Sequence, residues 1–187
     1  VADTLDGTGK HHSKLDDIPN GLRDEIIFSL RNNTSAGIDT TGPKPVIVGA
    51  NPTEQALLRY LDENLKEKDD VELVQSIPFK SLYKFSASEV KGQKSVTMFK
   101  GAAEIVLANC TAYIDENGER QPLPSHEKLL NEMNKMSERA MRLIGLAVTD
   151  ESISEEPSLP QNLALVTIFG LRDAIRLEAK VAVQEAQ

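Results

Sequence analysis

"SVTMFKGAAEIVLANC", residues 95–110, begins as a strand and ends as a helix. In an extended chain Val96 and Met98 face one way and Thr97 and Phe99 the other, whereas "AAEIVLANC" reads as a short apolar helix. Between them stands Lys100-Gly101, a charged residue followed by one without a side chain. The pair is either a plain turn or a place where something anionic or aromatic approaches the backbone, which glycine permits.

The segments around it set the fold class. "VELVQSIPF" (71–79) and "YKFSASEV" (83–90) read as strands around a bend, and "KGQ" (91–93) turns the chain into 95–99. "TAYIDENGERQPL" (111–123) is a hairpin with Asn117-Gly118 as its turn signal. "LIGLAV" (143–148) and "LALVTIFGL" (163–171) are further strands, separated by the acidic stretch 149–162. Helical periodicity places Leu22, Ile26, Ile27 and Leu30 on one face of 19–33. It does the same for Leu57, Leu58, Leu61 and Leu65 in 51–68, which Thr53 can cap, and for Leu129, Met133, Met136 and Ala140 in 125–142. Residues 34–45 read as a loop, "VIVG" (46–49) as a short strand, and 172–187 as a closing helix. Residues 1–17, rich in Gly, Asp, Thr and Lys, read as a flexible lead-in. Strands in runs with interspersed helices and no regular βαβ alternation predict an α+β fold, an antiparallel twisted sheet flanked by helices.

Composition narrows the function. The 187 residues suffice for a sizeable core, and 40% hydrophobic with 27% charged residues is ordinary for a globular protein. A net charge of −8 argues against duplex nucleic acid as a partner. The single Cys110 excludes an internal disulfide and suits a reducing compartment. No stretch reaches the roughly 18 apolar residues of a membrane span. The chain lacks an initiating methionine and a signal peptide, and both ends break off, which suggests a piece of a larger protein.

Catalytic signatures are missing. "LDGTGKHH" (5–12) fails the spacing of a phosphate loop, with His11 where a hydroxyl is required. His11, His12 and His126 have no partners at metal spacing and read as solvated surface. No nucleophile–base set or carboxylate dyad stands out.

Four other segments matter together. They are "GANPTEQALL" (49–58) with Glu54 in a helical first turn, "IPFKSLYKFS" (77–86) with Phe79 between a strand and two lysines, "MFKGAAE" (98–104), and "AMRLIGLA" (140–147) with Arg142 at a helix-to-strand junction. Each has a plain reading: a dipole-complementing glutamate, a core phenylalanine, a turn, a solvated cap. In order, however, they resemble the nucleotide-binding domain of the P-type cation-transporting ATPases, the family of calcium and sodium/potassium pumps. "PTEQALL", "FKSLYK", "KGAAEIVL" and "MRLIGLA" match four of that family's motifs. "VIVGANPTEQALL" and "KGAAEIVL" are most similar to plasma-membrane-type calcium pumps, whereas "IPFKSLYKFS" is closer to the sodium/potassium version.

The resemblance implies roles. Phe79 would stack on adenine, a contact worth about 1–3 kcal/mol. Glu54 would accept from the adenine amino group. Lys84 and Lys100 would line the pocket and favour an anion, and Gly101 would let the nucleotide reach the backbone. Arg142 would hold a phosphate in its planar fork, and Ile144 would wall the base. ATP would be the ligand, with Mg²⁺ carried on it, at roughly −4 to −6 kcal/mol of binding. Residues 1–165 would form the nucleotide-binding domain, and 166–187 the truncated start of the phosphorylation domain, with Asp173 and Arg176 matching its motif. The partners implied are the phosphorylation, actuator and membrane domains of a pump, placing this domain at the cytosolic face of a membrane.

Some positions depart from the family: Lys80 for Asn or Ser, Ala103 for Pro or Ser, Ala174 for proline, and one extra residue in "GANPTE". Asp-Lys-Thr-Gly-Thr, the site of phosphorylation in these pumps, is absent, so this chain alone forms no aspartyl-phosphate. The competing reading is a soluble protein-interaction domain without nucleotide, whose lysines and phenylalanine form a binding face. Whether Glu54, Phe79, Lys84, Lys100 and Arg142 converge in space separates the two.

Overall fold

The structure is a computed structural model that describes residues 1–34, 37–39, 41–44, 46–48, 52–61, 69–153 and 159–172. In chain order the elements are β1 (Asp3–Leu5), β2 (His11–His12), a 3₁₀ turn Leu15–Asp17, α1 (Asn20–Asn32), β3 (Gly37–Asp39), β4 (Val46–Val48), α2 (Pro52–Leu61), β5 (Val71–Ile77), β6 (Phe85–Gly92), β7 (Val96–Ala102), α3 (Ala103–Ala108), β8 (Cys110–Ile114), β9 (Arg120–Pro122), α4 (His126–Glu138), β10 (Arg142–Thr149) and β11 (Leu163–Leu171). Nine strands form one sheet along the path β2-β1-β11-β10-β7-β6-β5, with β8 on β11 and β9 on β8. Every ladder in it is antiparallel except β8 on β11. This is the α+β architecture that the strand runs predict.

Helices cover both faces of the sheet, and strand alternation feeds two cores. Met98, Leu146, Val148 and Phe169 pack under α1 and α2, whose Leu22, Ile26, Leu57 and Leu61 are fully covered. Phe85, Phe99, Ala147 and Ile168 pack on the other face against Val106 and Leu107 of α3 and Leu129, Met133 and Met136 of α4. Central strands buried on both sides read as continuous apolar runs, which is the pattern of "LALVTIFGL". Within β11 the ladder to β10 jumps from Thr167 to Leu165, so Val166 is the extra residue of a bulge. The bulge explains why Leu163 and Leu165 face one core while Phe169 and Leu171, also an even number of residues away, face the other.

Several expectations need correcting. Residues 1–17 are not a loose lead-in: Asp3, Thr4 and Leu5 pair with Gly170, Phe169 and Ile168, and all three are buried. Asp6 closes the β1–β2 turn by accepting from the backbone N–H groups of Thr8 and Lys10 and from the Thr8 hydroxyl. A domain boundary at 166 cuts through β11, a strand with β10 on one edge and β1 and β8 sharing the other. The expected loop 34–45 contains β3, which pairs with β4 in a separate two-stranded ribbon. In α2 the first helical residue is Pro52, whose fixed φ suits that position, so Thr53 lies inside the first turn rather than capping it. The expected continuation of α2 through 62–68 and the closing helix 173–187, with Asp173, Arg176 and Ala174, lie outside the described residues.

Of the three histidines read as solvated surface, His11 and His126 are exposed, though each is hydrogen-bonded, and His12 is buried. His12 is 6% exposed and its Nε2 lies 2.9 Å from Asp6 Oδ2. His126 Nε2 is 2.8 Å from the carbonyl oxygen of Cys110 and donates to it. Cys110 is buried, and burial pushes its thiol up to about 12, which makes it an inert core residue.

His11 is held from both sides: Nδ1 is 2.6 Å from Asp3 Oδ2 and Nε2 is 2.7 Å from Glu132 Oε2. A neutral imidazole has one N–H, so serving two carboxylates requires the imidazolium. Burial alone would lower its pKa, but the bonds to Glu132 and Asp3 outweigh that and hold it above the ordinary 6.5. Lys135, Arg139 and Arg172 stand around the same hollow. Because the folded pKa is raised, the clamp's stabilisation is full below the unfolded value and is lost as pH rises through the folded one. The difference in melting temperature between the native chain and His11→Gln should therefore be clear at about pH 5.5 and shrink by about pH 8.5. Thermal melts at both pH values check this; an equal difference would show that folding leaves the His11 pKa unshifted, and a difference that grows with pH would show a buried neutral imidazole.

Candidate functional site

A cleft of about 560 Å³ opens where three strand ends meet the start of α2. Its walls are Pro52, Thr53 and Glu54 of α2, Phe79, Lys84 and Ser86 from the β5–β6 region, Lys100, Gly101 and Ala102 of β7, and Arg142, Leu143 and Ile144 of β10. All seven residues singled out from the sequence, Glu54, Phe79, Lys84, Lys100, Gly101, Arg142 and Ile144, are among them. The sheet register places them: Gly101 pairs with Phe85 on one side and Gly145 on the other, and Ala102 pairs with Ile144.

The chain does not break at Lys100-Gly101. The strand runs through Ala102, and Ala103 starts the helix. Glycine is required because a Cβ on residue 101 would lie 2.4 Å from the carbonyl oxygen of Lys84 and 2.9 Å from the Phe85 Cα. Lys84 itself has φ 63°, a left-handed conformation that costs a lysine about 1–2 kcal/mol. It closes the turn from Lys80, whose carbonyl accepts from the N–H groups of both Tyr83 and Lys84. The narrow floor of the cleft is thus a backbone-to-backbone contact between β6 and β7.

Polarity is divided between floor and rim. At the rim, Phe79 is 54% exposed, an unusual state for a large aromatic ring, with the exposed Lys84 and Arg142 beside it on the same cleft. Neither cation forms an ion pair among the described residues. In the floor, Lys100 is 5% exposed and Glu54 7%, and their Nζ and Oε1 atoms are 2.6 Å apart. The Lys100 ammonium also donates to the carbonyl of Asn33 at 2.6 Å, and the Thr34 hydroxyl donates to Glu54 Oε2 at 2.9 Å. Burial pulls the Lys100 pKa below the usual lysine range, and the Glu54 carboxylate opposes that pull.

Lys100 is therefore not the freely offered cation expected from the sequence. Two of its three protons go to protein oxygens, and its charge is opposed by Glu54. Asn33 and Thr34, which sequence reasoning left in a helix end and a loop, turn out to anchor the pair. Asn33 follows the last residue of α1; its side chain donates to the Met98 carbonyl and accepts from the Ser88 hydroxyl. The available signal was the break in apolar periodicity at Asn32-Asn33-Thr34, a polar C-terminal cap against a polar stripe, Ser86 and Ser88, in β6.

The cleft offers an exposed ring, two rim cations, a glycine floor and a buried carboxylate held by a lysine and a hydroxyl. Chemically, such a set could stack an aromatic group and answer negative charge. The chain belongs to the family described as P-type ATPase, cytoplasmic domain N, whose model matches residues 27–178. It is 32% identical over 98% of its length to the calcium-transporting ATPase PAT1 of Dictyostelium discoideum, of which it covers 17%. It is 29% identical over 92% of its length to the plasma membrane-type calcium-transporting ATPase 9 of Arabidopsis thaliana, covering 18% of that protein. To the plasma membrane-type calcium-transporting ATPase 3 of Oryza sativa subsp. japonica it is 33% identical over 81% of its length, covering 16%. The chain thus spans about a sixth of the length of these relatives. No helix among the described residues is long and apolar enough to cross a membrane.

Proposed function

We propose that the cleft binds ATP and that the chain presents it, in a cation-transporting and calcium-type pump, to an aspartate on a separate phosphorylation domain. The observation that carries this reading is the convergence on one cleft of Glu54, Phe79, Lys84, Lys100, Gly101, Arg142 and Ile144, drawn from four segments separated in sequence. A protein-interaction face would not need them in a concavity, and the relatives named above are pumps.

Each residue has a physical task. Phe79, exposed at the rim, offers its face to the adenine ring, while Ile144 closes the apolar side. Glu54 accepts from the 6-amino group. Lys84 and Arg142 offer charge to the triphosphate, Arg142 through a two-pronged contact. Gly101 lines the cleft and lets β7 pack against the Lys84–Phe85 backbone that forms its floor. Mg²⁺ would come with the triphosphate and neutralise its charge. With no nucleophile supplied by this chain, its contribution is positioning and charge neutralisation. Asp173 and Arg176 would belong to the connection toward the phosphorylation domain, with the actuator and membrane domains completing the pump at the cytosolic face of its membrane.

Chemical-shift titration with ATP, with and without Mg²⁺, beside the Phe79→Ala variant tests the reading. Saturable binding at millimolar to high-micromolar strength is expected, weakened about 5- to 100-fold in the variant, the equivalent of 1–3 kcal/mol of stacking. Absence of binding up to about 10 mM, a level that would mostly fill a −4 kcal/mol site, would remove the ATP assignment and leave the family membership intact.

A further inference from the structure

The Glu54 carboxylate is buried and receives a donor at each oxygen, Lys100 at Oε1 (2.6 Å) and the Thr34 hydroxyl at Oε2 (2.9 Å). Resting on the ATP reading above, we infer that Thr34 is a positioning residue for the base edge: with Lys100 it holds Glu54 as an acceptor-only carboxylate that selects 6-amino over 6-oxo purine nucleotides.

The argument starts from proton count. A protonated glutamic acid could donate to a 6-oxo group and so would tolerate guanine or hypoxanthine. Here each oxygen already receives a donor, Lys100 at Oε1 and Thr34 at Oε2, so the group meets the cleft as an acceptor. An ionised carboxylate has only lone pairs to present. Toward a 6-amino group these make charge-assisted hydrogen bonds; toward a 6-oxo group they meet lone pairs in a site shielded from water. The discrimination depends on orientation as well as charge, since a rotated carboxylate would present a different edge to the cleft.

Thr34 sets that orientation because its own position is fixed. Asn33, next to it, is 2% exposed and tied to the sheet through Met98, Ser88 and Lys100. Residues 33 and 34 therefore link the end of α1, through the anchored Asn33, to the carboxylate. Thr34 is not itself among the residues lining the cleft, so its effect on a ligand passes through Glu54.

The test uses the whole chain and two probes, ATP and inosine triphosphate, which differ by a 6-amino against a 6-oxo group. The native chain should bind ATP about tenfold more tightly than inosine triphosphate. Thr34→Val, which keeps the shape and removes the donor, should weaken ATP binding about 3- to 10-fold, the value of one lost hydrogen bond. It should also bring the ratio of the two affinities close to one, while Thr34→Ser restores both. Unchanged ATP affinity and ratio in Thr34→Val would overturn the inference and leave the ATP site standing. So would a native chain that binds both nucleotides equally, or a loss in Thr34→Val that is the same for both probes and not rescued by serine, which would mark a structural role. A native chain that binds neither nucleotide would overturn the inference together with the ATP reading.

Discussion

Replacing Lys100 with methionine is expected to destabilise the protein by about 3–5 kcal/mol, the cost of leaving one member of a buried ion pair alone. Glu54, 7% exposed, would lose its Lys100 partner while remaining out of water, and the Asn33 carbonyl would lose its donor as well. Methionine keeps most of the lysine volume, so the loss reports on charge rather than on a cavity. Replacing both partners, Lys100→Met with Glu54→Leu, should recover much of the loss, because apolar pairs of similar volume are tolerated at such sites. Urea unfolding of the two single variants and the double variant gives the coupling directly. A single-variant cost below about 1 kcal/mol would mean that the pair is solvated, as surface pairs are. The site of this pair is also the proposed nucleotide floor, so stability and ligand selection draw on the same contact.

Phe169→Ala should cost about 3–5 kcal/mol, in the range of buried aromatic truncations. The ring is fully buried between β11 and the α1–α2 layer, and its centroid lies 5.6 Å from that of Tyr60 in an edge-to-face arrangement. Tyr60 in turn shares a hydrogen bond with the Thr4 hydroxyl, so the ring ties α2 to the N-terminal strand. A chain ended after Leu165 removes Ile168, Phe169 and Gly170, and with them all partners of β1 in β11. Such a chain should show no cooperative thermal transition. Denaturation followed by circular dichroism checks both; a truncated chain that melts cooperatively would restore a domain boundary at 166.

Much of the molecule was legible without coordinates, and the reasons differ from part to part. The faces of α1 and α4 follow from apolar spacing, because a helix with one covered side must repeat near 3.6 residues. The Asn117-Gly118 turn follows from φ, since Gly118 adopts 79°. β1 was not legible: Asp3, Thr4 and Leu5 contain two polar residues in three, and they are buried only because β11 offers an open edge. The alternation in β11 could not be assigned either, since the bulge at Val166 exists only against β10. For the cleft, the motifs that resemble those of P-type pumps marked seven of the twelve residues that line it. They did not show that Lys100 is spent on Glu54 and Asn33, or that Thr34 reaches the carboxylate.

By itself the sequence determined the α+β class, the helix faces and the tight turns, because periodicity and backbone freedom belong to the chain locally, and its family motifs pointed to seven of the cleft residues. Only the tertiary structure decided that residues 1–12 are part of the sheet, that β11 is central to the domain, and that the charge of Lys100 is answered inside the protein. The worth of a strand edge or a buried charge depends on what lies within a few ångströms of it, and those neighbours come from segments far away along the chain.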